Sequence, residues 1–242
     1  MFSSKKKQQQ QKSKNKLSDT LKGSRFRYLN EKLYTCKSKE ALEYFQKNPT
    51  DFANYHEGFR QQVSQWPSNP VDVIIQRIRK AAVEKIKEDE EKLIIADMGC
   101  GDAKIKLTLE GEATVHAFDL VECKEKGVVA ADICNVPLPN DSVDIVVFSL
   151  SLMNTNYGDA LVEARRILKP QGRLIVAEVE SRMKAGPDTF VKEVHKLGYK
   201  IRKQQNMRVF MLFDFILHDH SCTKKLSPEK ESALKPCLYK KR

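Results

Sequence analysis

The segment Leu93-Ile94-Ile95-Ala96-Asp97-Met98-Gly99-Cys100-Gly101-Asp102 decides the fold of this 242-residue chain. Its first half is an apolar, β-branched run that predicts a buried strand, and its second half places two glycines one residue apart. A second apolar run ends in Asp119, twenty positions after Gly99. In nucleotide-binding sheets such a turn approaches the ligand, and an acid at that distance holds a ribose hydroxyl. The spacing therefore predicts a nucleoside-containing cofactor.

The residues after the two glycines narrow the choice of cofactor. A dinucleotide-binding turn needs a third glycine, and Lys104 occupies that position. The sequence also has no Gly-Lys-Ser/Thr ending of the kind that binds phosphates. S-adenosylmethionine contains a ribose and an adenine but no phosphate, so two glycines and an acid suffice to bind it. The motif alone leaves one alternative open, a strand-turn-helix corner that needs its glycines only for geometry.

The charge of the chain is concentrated at its ends. Lys and Arg outnumber Asp and Glu by 43 to 32, and residues 1–32 carry a net charge of +8. Residues 233–242 carry +4, so the remainder is nearly neutral. Basic ends favour an anionic polymer such as RNA, although a solubilising tail would explain them as well. Residues 1–16 contain six lysines and no acid, which predicts a disordered basic tail.

Cysteine spacing and hydropathy exclude two further classes of protein. The six cysteines form no Cys-x-x-Cys pair, so we expect a reducing compartment, no disulfides and no metal site. The longest apolar run, from Val143 to Met153, is interrupted by Asp144 and is too short to span a bilayer. These features predict a soluble protein without a membrane partner.

Strand-like and helical segments alternate after Leu93. Predicted strands cover 93–97, 115–119, 128–131, 143–149, 173–179, 199–202 and 209–217, and predicted helices cover 71–87, 158–169 and 187–197. A short polar connection between the last two strands permits an antiparallel hairpin, whereas parallel strands need a crossover. We predict an α/β fold, a doubly wound class I (Rossmann-like) sheet with an antiparallel C-terminal hairpin. Residues 71–242 would form this domain, and residues 17–70 an aromatic, helical extension that packs on it.

Polar residues follow each of the first four predicted strands. Asp119 ends the second strand, the pair Asp132-Ile133 follows the third, and Ser149 ends the fourth. Ligands of such sheets bind beyond the carboxyl ends of the strands. Asp132 could accept a hydrogen bond from an adenine amino group, while Ile133 could pack on the ring. One acid at a strand end often only caps a helix, but four such endings in register indicate a nucleoside site.

Several blocks of the sequence match a known family. They include Tyr55 to Arg60, Trp66-Pro67, Ala96 to Asp102, Leu150 to Met153 and Pro236 to Lys240. In these blocks the chain resembles the ribosomal RNA-processing protein 8 (nucleomethylin-like) methyltransferases, and the resemblance extends from about Arg25 to the C-terminus. The Trp-Pro block and the Pro-Cys-Leu-Tyr-Lys block are not general features of methyltransferases.

The resemblance implies a nucleolar class I methyltransferase that modifies N1 of an adenine in large-subunit ribosomal RNA. It implies S-adenosylmethionine as cofactor, a role in rRNA processing and ribosome biogenesis in the nucleus, and possible chromatin-silencing partners. The implied cofactor contacts are His56, Gly99, Asp119, Asp132, Ile133 and Ser149. Two residues depart from the family pattern: Ser149 stands where a cysteine can occur, and Asn154 stands where a glycine is expected. The second departure puts the shape of the target-base pocket in question.

The chemistry of adenine N1 suggests which further residues to consider. N1 is a neutral lone pair at pH 7, so alignment rather than deprotonation would drive the reaction, and the base must be unpaired. The product ring is cationic, so acceptor oxygens near it would help. Asn154, Asn156 and Glu178 could supply them, although turn capping and a core-edge acid are the simpler explanations. Two other functions remain open: methylation of a protein or small molecule, and an S-adenosylmethionine-binding chromatin or silencing factor without turnover.

Overall fold

One seven-stranded sheet organises the chain. The computed structural model describes residues 21–89, 91–226 and 232–239, so the predicted disordered tail lies outside the described residues. The strands are β1 (Ile94–Met98), β2 (Thr114–Asp119), β3 (Val128–Ala130), β4 (Val143–Ser149), β5 (Leu168–Val179), β6 (Tyr199–Asn206) and β7 (Phe210–Leu217). Their order in space is β3-β2-β1-β4-β5-β7-β6.

The pairing of the strands confirms the predicted fold class. Strands β1 to β5 are parallel to one another, while β7 runs antiparallel to both β5 and β6. The chain order reverses between β1 and β4, which is the switch point where ligands bind in doubly wound sheets. The carboxyl ends of β1, β2 and β4 therefore lie side by side at that point.

Helices cover both faces of the sheet. The helices are α1 (described over residues 21–35), α2 (Ser38–Lys47), α3 (Pro49–Val63), α4 (Pro70–Asp89), α5 (Lys104–Thr108), α6 (Tyr157–Ile167) and α7 (Pro187–His195). Helices α4 and α5 pack on one face through Ile74, Ile78 and Ile105. Helices α6 and α7 pack on the other, where Leu161 and Phe190 are fully buried. Because the central strands are covered on both sides, they are apolar almost throughout.

The sequence-based boundary of α6 was wrong by two residues. The helix ends at Ile167, and β5 begins at Leu168 rather than at Arg173. Proline disfavours the helical conformation of the residue before it, so the helix cannot continue into Pro170. The pairing register of β4 with β5 shifts between Val143 and Ile145, opposite this irregular start. Helix α5, which has only five residues, was not predicted at all.

Helices α1 to α3 form a layer over the carboxyl edge of the sheet. Their buried aromatic cluster includes Phe26 and Phe45, and it packs against Leu120 after β2 and Met153 after β4. The C-terminal segment joins the same cluster, with the Tyr239 ring 5.2 Å from that of Phe26. This layer therefore covers the carboxyl edge of the sheet, at which a ligand would bind. None of the described helices is long and apolar enough to cross a bilayer.

Candidate functional site

A cavity lies between the carboxyl edge of the sheet and α3. Its volume, including the part that is open to solvent, is about 690 Å³. Five of the six predicted cofactor contacts line it: His56, Gly99, Asp119, Ile133 and Ser149. The sixth, Asp132, neighbours Ile133 but does not line the cavity, and its Oδ1 accepts a hydrogen bond from the Cys134 amide at 2.8 Å.

A second cavity continues from the first on the other side of His56. Its open volume is about 750 Å³, and it extends along the glycine turn to Asp97, Asp102 and Lys104. The two cavities share six lining residues: His56, Phe59, Gly99, Gly101, Ser149 and Leu150. They therefore form one elongated space, which we call the ligand cleft.

The backbone amides of the glycine turn after β1 form hydrogen bonds within the protein. Gly99 and Cys100 both donate to the Phe118 carbonyl at 2.9 Å, and Gly101 donates to Asp119 Oδ2 at 2.7 Å. These three N–H groups are thus not available to a phosphate, which needs such donors. The turn requires glycine at its first position because φ of Gly99 is +79° and a Cβ there would lie 2.5 Å from that of Ser151.

Unpaired polar groups face the ligand cleft. The hydroxyl oxygens of Ser149 and Ser151 are buried and have no hydrogen-bond partner among the described residues. Both residues line the cleft, and buried hydroxyls without partners are uncommon in native proteins. The cleft therefore has the donors and acceptors of a polar ligand site.

Asp97 is a cleft residue that the sequence-based site prediction missed. Its side chain is 2% exposed, and no hydrogen bond to its carboxylate is found among the described residues. Burial, with a smaller contribution from the negative charge of Asp119, raises its pKa from 3.8 to about 7. Two carboxylates in one cleft favour a cationic ligand group. The detectable signal was an acid that ends an apolar strand directly before the glycine turn.

The raised pKa of Asp97 predicts a pH dependence of stability. Between about pH 4 and about pH 7, folded Asp97 keeps a proton that the unfolded chain has released, so stability falls as the pH rises. The Asp97→Asn variant lacks this titration. Its unfolding free energy relative to the parent protein should rise by up to about 4 kcal/mol between pH 4 and pH 8 in urea titrations. A constant difference across this range would contradict the assignment.

His56 reaches the cleft from α3 and is half-buried. Burial lowers its pKa, and the negative charges of Asp119 and Asp102 oppose this shift. The ring packs against Phe52 at 4.3 Å and lies next to Gly101, where an added Cβ would be 3.6 Å from the ring. A predominantly neutral imidazole can therefore donate or accept a hydrogen bond at the centre of the cleft.

The three residues predicted to face the target base lie in different places. Asn154 lines the ligand cleft, and its amide donates to the Leu33 carbonyl at 3.1 Å. Asn156 does not line the cleft; its side chain bonds the amide and hydroxyl of Ser38, so it joins the loop after β4 to α2. Glu178 lies outside the cleft and is paired with Arg182. The structure therefore places one of the three, Asn154, in the ligand cleft.

Metal ligands are not grouped in the described part of the chain. No three His, Cys, Asp or Glu residues there could hold one ion. Acids and bases at the mouth of the cleft pair with each other instead, since Asp102 contacts Arg60 at 3.1 Å and Lys126 at 3.2 Å.

Comparisons with known proteins place the chain in a methyltransferase family. A family model described as a hypothetical methyltransferase matches residues 12–242. Ribosomal RNA-processing protein 8 of Dictyostelium discoideum is 42% identical over 241 residues, and the match covers 94% of this chain and 59% of that protein. The 25S rRNA (adenine(645)-N(1))-methyltransferase of Schizosaccharomyces pombe is 44% identical over 233 residues, covering 94% and 71%.

A solved structure supports the fold at low sequence identity. The 1,6-didemethyltoxoflavin-N1-methyltransferase of Burkholderia thailandensis, solved with 1,6-didemethyltoxoflavin and S-adenosylhomocysteine, superposes with a TM-score of 0.53 at 15% identity. The superposition covers 73% of this chain and 90% of that one. This likeness extends to the architecture alone.

Proposed function

Because the chain belongs to the methyltransferase family that includes ribosomal RNA-processing protein 8, we propose that it methylates N1 of an adenine in large-subunit ribosomal RNA. The choice of S-adenosylmethionine as cofactor rests on the acid-lined ligand cleft. The amides of its glycine turn donate to groups of the protein itself, which disfavours a phosphate-containing ligand. The RNA part is supported by the fission yeast relative, which is named as a 25S rRNA adenine-N1 methyltransferase.

The residues of the ligand cleft fit S-adenosylmethionine. Asp119 would accept hydrogen bonds from the ribose, since each of its oxygens bonds one backbone amide and retains acceptor capacity. Ile133 would pack on the adenine, with Asp132 nearby to receive the amino group. Asp97, at the far end, would face the ammonium group of the methionine portion. The unpartnered Ser149 hydroxyl lies between these ends.

The residues of the protein would position the two substrates for methyl transfer and exclude water. Bound S-adenosylmethionine supplies an activated methyl group, and the adenine N1 already carries the lone pair that accepts it. No described residue needs to remove a proton before the transfer, so positioning and exclusion of water are the main contributions. The aromatic layer formed by α1 to α3 covers the carboxyl edge of the sheet and restricts access of water.

Reverse transcription tests the proposed function directly. A methyl group on N1 blocks the Watson–Crick edge of adenine, so it stops the polymerase. Incubation of unmodified large-subunit rRNA transcripts with the protein and S-adenosylmethionine should create one new stop at an adenine. The stop should be absent when S-adenosylmethionine is omitted. An unchanged map, in protein that still binds S-adenosylhomocysteine by calorimetry, would reject the proposed function.

The cellular setting follows as part of the same proposal. Ribosomal RNA is processed in the nucleolus, so we place the protein in the nucleus and nucleolus, with the pre-ribosome as partner. If the stop map is unchanged and cofactor binding intact, a methyltransferase acting on a protein or small molecule and a cofactor-binding silencing factor with chromatin partners become the candidates. Pull-down with and without S-adenosylmethionine would then separate those two.

A further inference from the structure

We propose that the outer edge of the sheet, formed by β6 and the turn that follows it, binds the phosphate backbone of the RNA that flanks the target adenine. Four cationic side chains define this surface, which we call the basic edge: Lys200, Arg202, Lys203 and Arg208. The inference rests on the proposed function for the identity of the RNA, and it adds a binding surface outside the ligand cleft.

The positive charge of the basic edge is not neutralised by acids of the protein. All four residues are exposed, and none of their side chains has an ion-pair partner among the described residues. Residues 199–209 contain no Asp or Glu. By contrast, the exposed side chains of Arg60 and Arg79 are paired with acids at 3.1 and 2.7 Å. A group of unpaired like charges on an otherwise nearly neutral part of the chain attracts an anionic polymer.

The residues beneath the basic edge are also positively charged overall. Lys203 lies opposite Asp214 of β7, whose carboxylate contacts Arg173 at 2.6 Å. The guanidinium of Arg77 from α4 reaches the same place: its Nη2 donates to the Gln205 side chain of β6 at 2.7 Å, and the charges of Asp214 and Arg173 act on it. Its Nη1 is buried and has no hydrogen-bond partner in the described part of the chain. Three cations therefore surround one carboxylate, which leaves a net positive charge under β6.

The shape of the basic edge suits an extended polymer. Strand β6 is the last strand of the sheet, and its eight residues extend over about 26 Å, comparable with seven stacked nucleotides at about 3.4 Å each. The register of β6 with β7 shifts between Ile201 and Lys203, so that Arg202 has no opposite residue. Such a bulge makes an edge a poor template for another strand, which disfavours a peptide that would pair with β6.

The turn between β6 and β7 brings the basic edge to the border of the ligand cleft. Trp66 lines the cleft, and its ring lies 4.7 Å from the ring of Phe210, the first residue of β7. The turn is fixed by the Asn206 side chain, which accepts a hydrogen bond from the Arg208 amide at 2.7 Å and donates one to Glu180 at 3.0 Å. An RNA strand bound along β6 would therefore lead to the carboxyl edge of the sheet, where the cleft lies.

Protection of the sheet against aggregation is the alternative explanation of the basic edge. Charged side chains on an edge strand discourage pairing with another sheet. Charges of either sign serve that purpose, whereas the basic edge carries cations alone. Arg208 also lies in the turn, beyond the end of β6, where it protects no strand. The single sign of the charges therefore favours an anionic ligand.

The salt dependence of RNA binding tests the basic edge. The variant Arg202→Gln/Lys203→Gln/Arg208→Gln removes three of its four charges. Binding of a labelled large-subunit rRNA transcript would be measured by filter binding at several KCl concentrations, with the protein saturated with S-adenosylhomocysteine. We expect the affinity at low salt to fall roughly tenfold or more, and the slope of log affinity against log salt to decrease by about 2–3, because each phosphate contact contributes about 0.7–0.9 to that slope.

The matched control is Lys92→Gln/Lys224→Gln/Lys225→Gln. It removes the same number of exposed charges, and none of the three lysines belongs to the basic edge or lines the ligand cleft. This control should keep the parental slope. A second variant, in which lysine and arginine are exchanged for each other at positions 202, 203 and 208, keeps the charge and should bind as the parent does. Thermal unfolding should show that all three variants are folded, since the altered side chains are exposed.

The outcomes separate the basic edge from the proposed function. If the glutamine variant of the basic edge binds the transcript with the parental affinity and slope, or if the control variant loses as much affinity, the basic edge is not the RNA-binding surface, and the test by reverse transcription is unaffected. If the parent protein loses RNA affinity through these substitutions but creates no stop in the transcript, the proposed function fails and the RNA-binding surface remains.

Discussion

Replacement of Asp119 by alanine is expected to lower the affinity for S-adenosylhomocysteine at least a hundredfold, as measured by calorimetry. Hydrogen bonds to charged groups contribute about 1.5–3 kcal/mol each, and two of them would hold the ribose. The carboxylate also positions the binding turn, because its two oxygens accept hydrogen bonds from the amides of Gly101 and Leu120 at 2.7 and 2.8 Å. Its loss therefore removes contacts to the ligand and loosens the turn that contacts it.

The control for this prediction is Glu112→Ala. Glu112, in the loop between α5 and β2, forms an exposed ion pair with Arg79 of α4 at 2.7 Å, and it does not line the ligand cleft. This variant should bind S-adenosylhomocysteine with parental affinity. Far-ultraviolet circular dichroism should show that Asp119→Ala keeps the fold. Parental affinity in folded Asp119→Ala would remove the ribose role from Asp119.

The strands and the glycine turn could be predicted from the sequence because residues close together in the chain determine them. Strands β1, β2 and β4 are mostly apolar, and β2 and β4 end at Asp119 and Ser149, as the sequence predicted. The glycine turn was predictable because its positive φ angles at Gly99 and Gly101 require that residue type. The antiparallel C-terminal hairpin was predictable because parallel neighbours need a crossover, whereas the last connection is too short for one.

The features that sequence reasoning located poorly depend on contacts between distant segments. Asn156 was a candidate for contact with the target base because it follows β4. In the structure its side chain forms hydrogen bonds with Ser38, which is 118 residues away in the sequence. Helix α5 has too few residues to show a period. The pKa of Asp97 is raised by burial and, to a smaller extent, by the negative charge of Asp119, and no spacing along the chain reveals either effect.

Replacement of Arg182 by methionine is expected to destabilise the fold by about 3–5 kcal/mol in urea titrations followed by circular dichroism. Arg182 is 2% exposed, and its guanidinium donates to the Leu152 carbonyl at 2.8 Å and the Lys235 carbonyl at 2.9 Å. The same group lies 2.7 Å from Glu178. Its removal leaves a buried carboxylate without countercharge and releases the segment that carries Tyr239.

A double variant distinguishes the loss of countercharge from the loss of packing. Removing one partner of a buried ion pair costs more than replacing both by apolar groups of similar volume. Glu178→Leu combined with Arg182→Met should therefore be more stable than Arg182→Met alone. Arg79→Met, which breaks the exposed pair with Glu112, should cost less than about 1 kcal/mol. Equal losses in the single and double variants would show that the carbonyl contacts, rather than the charge of Glu178, make Arg182 indispensable.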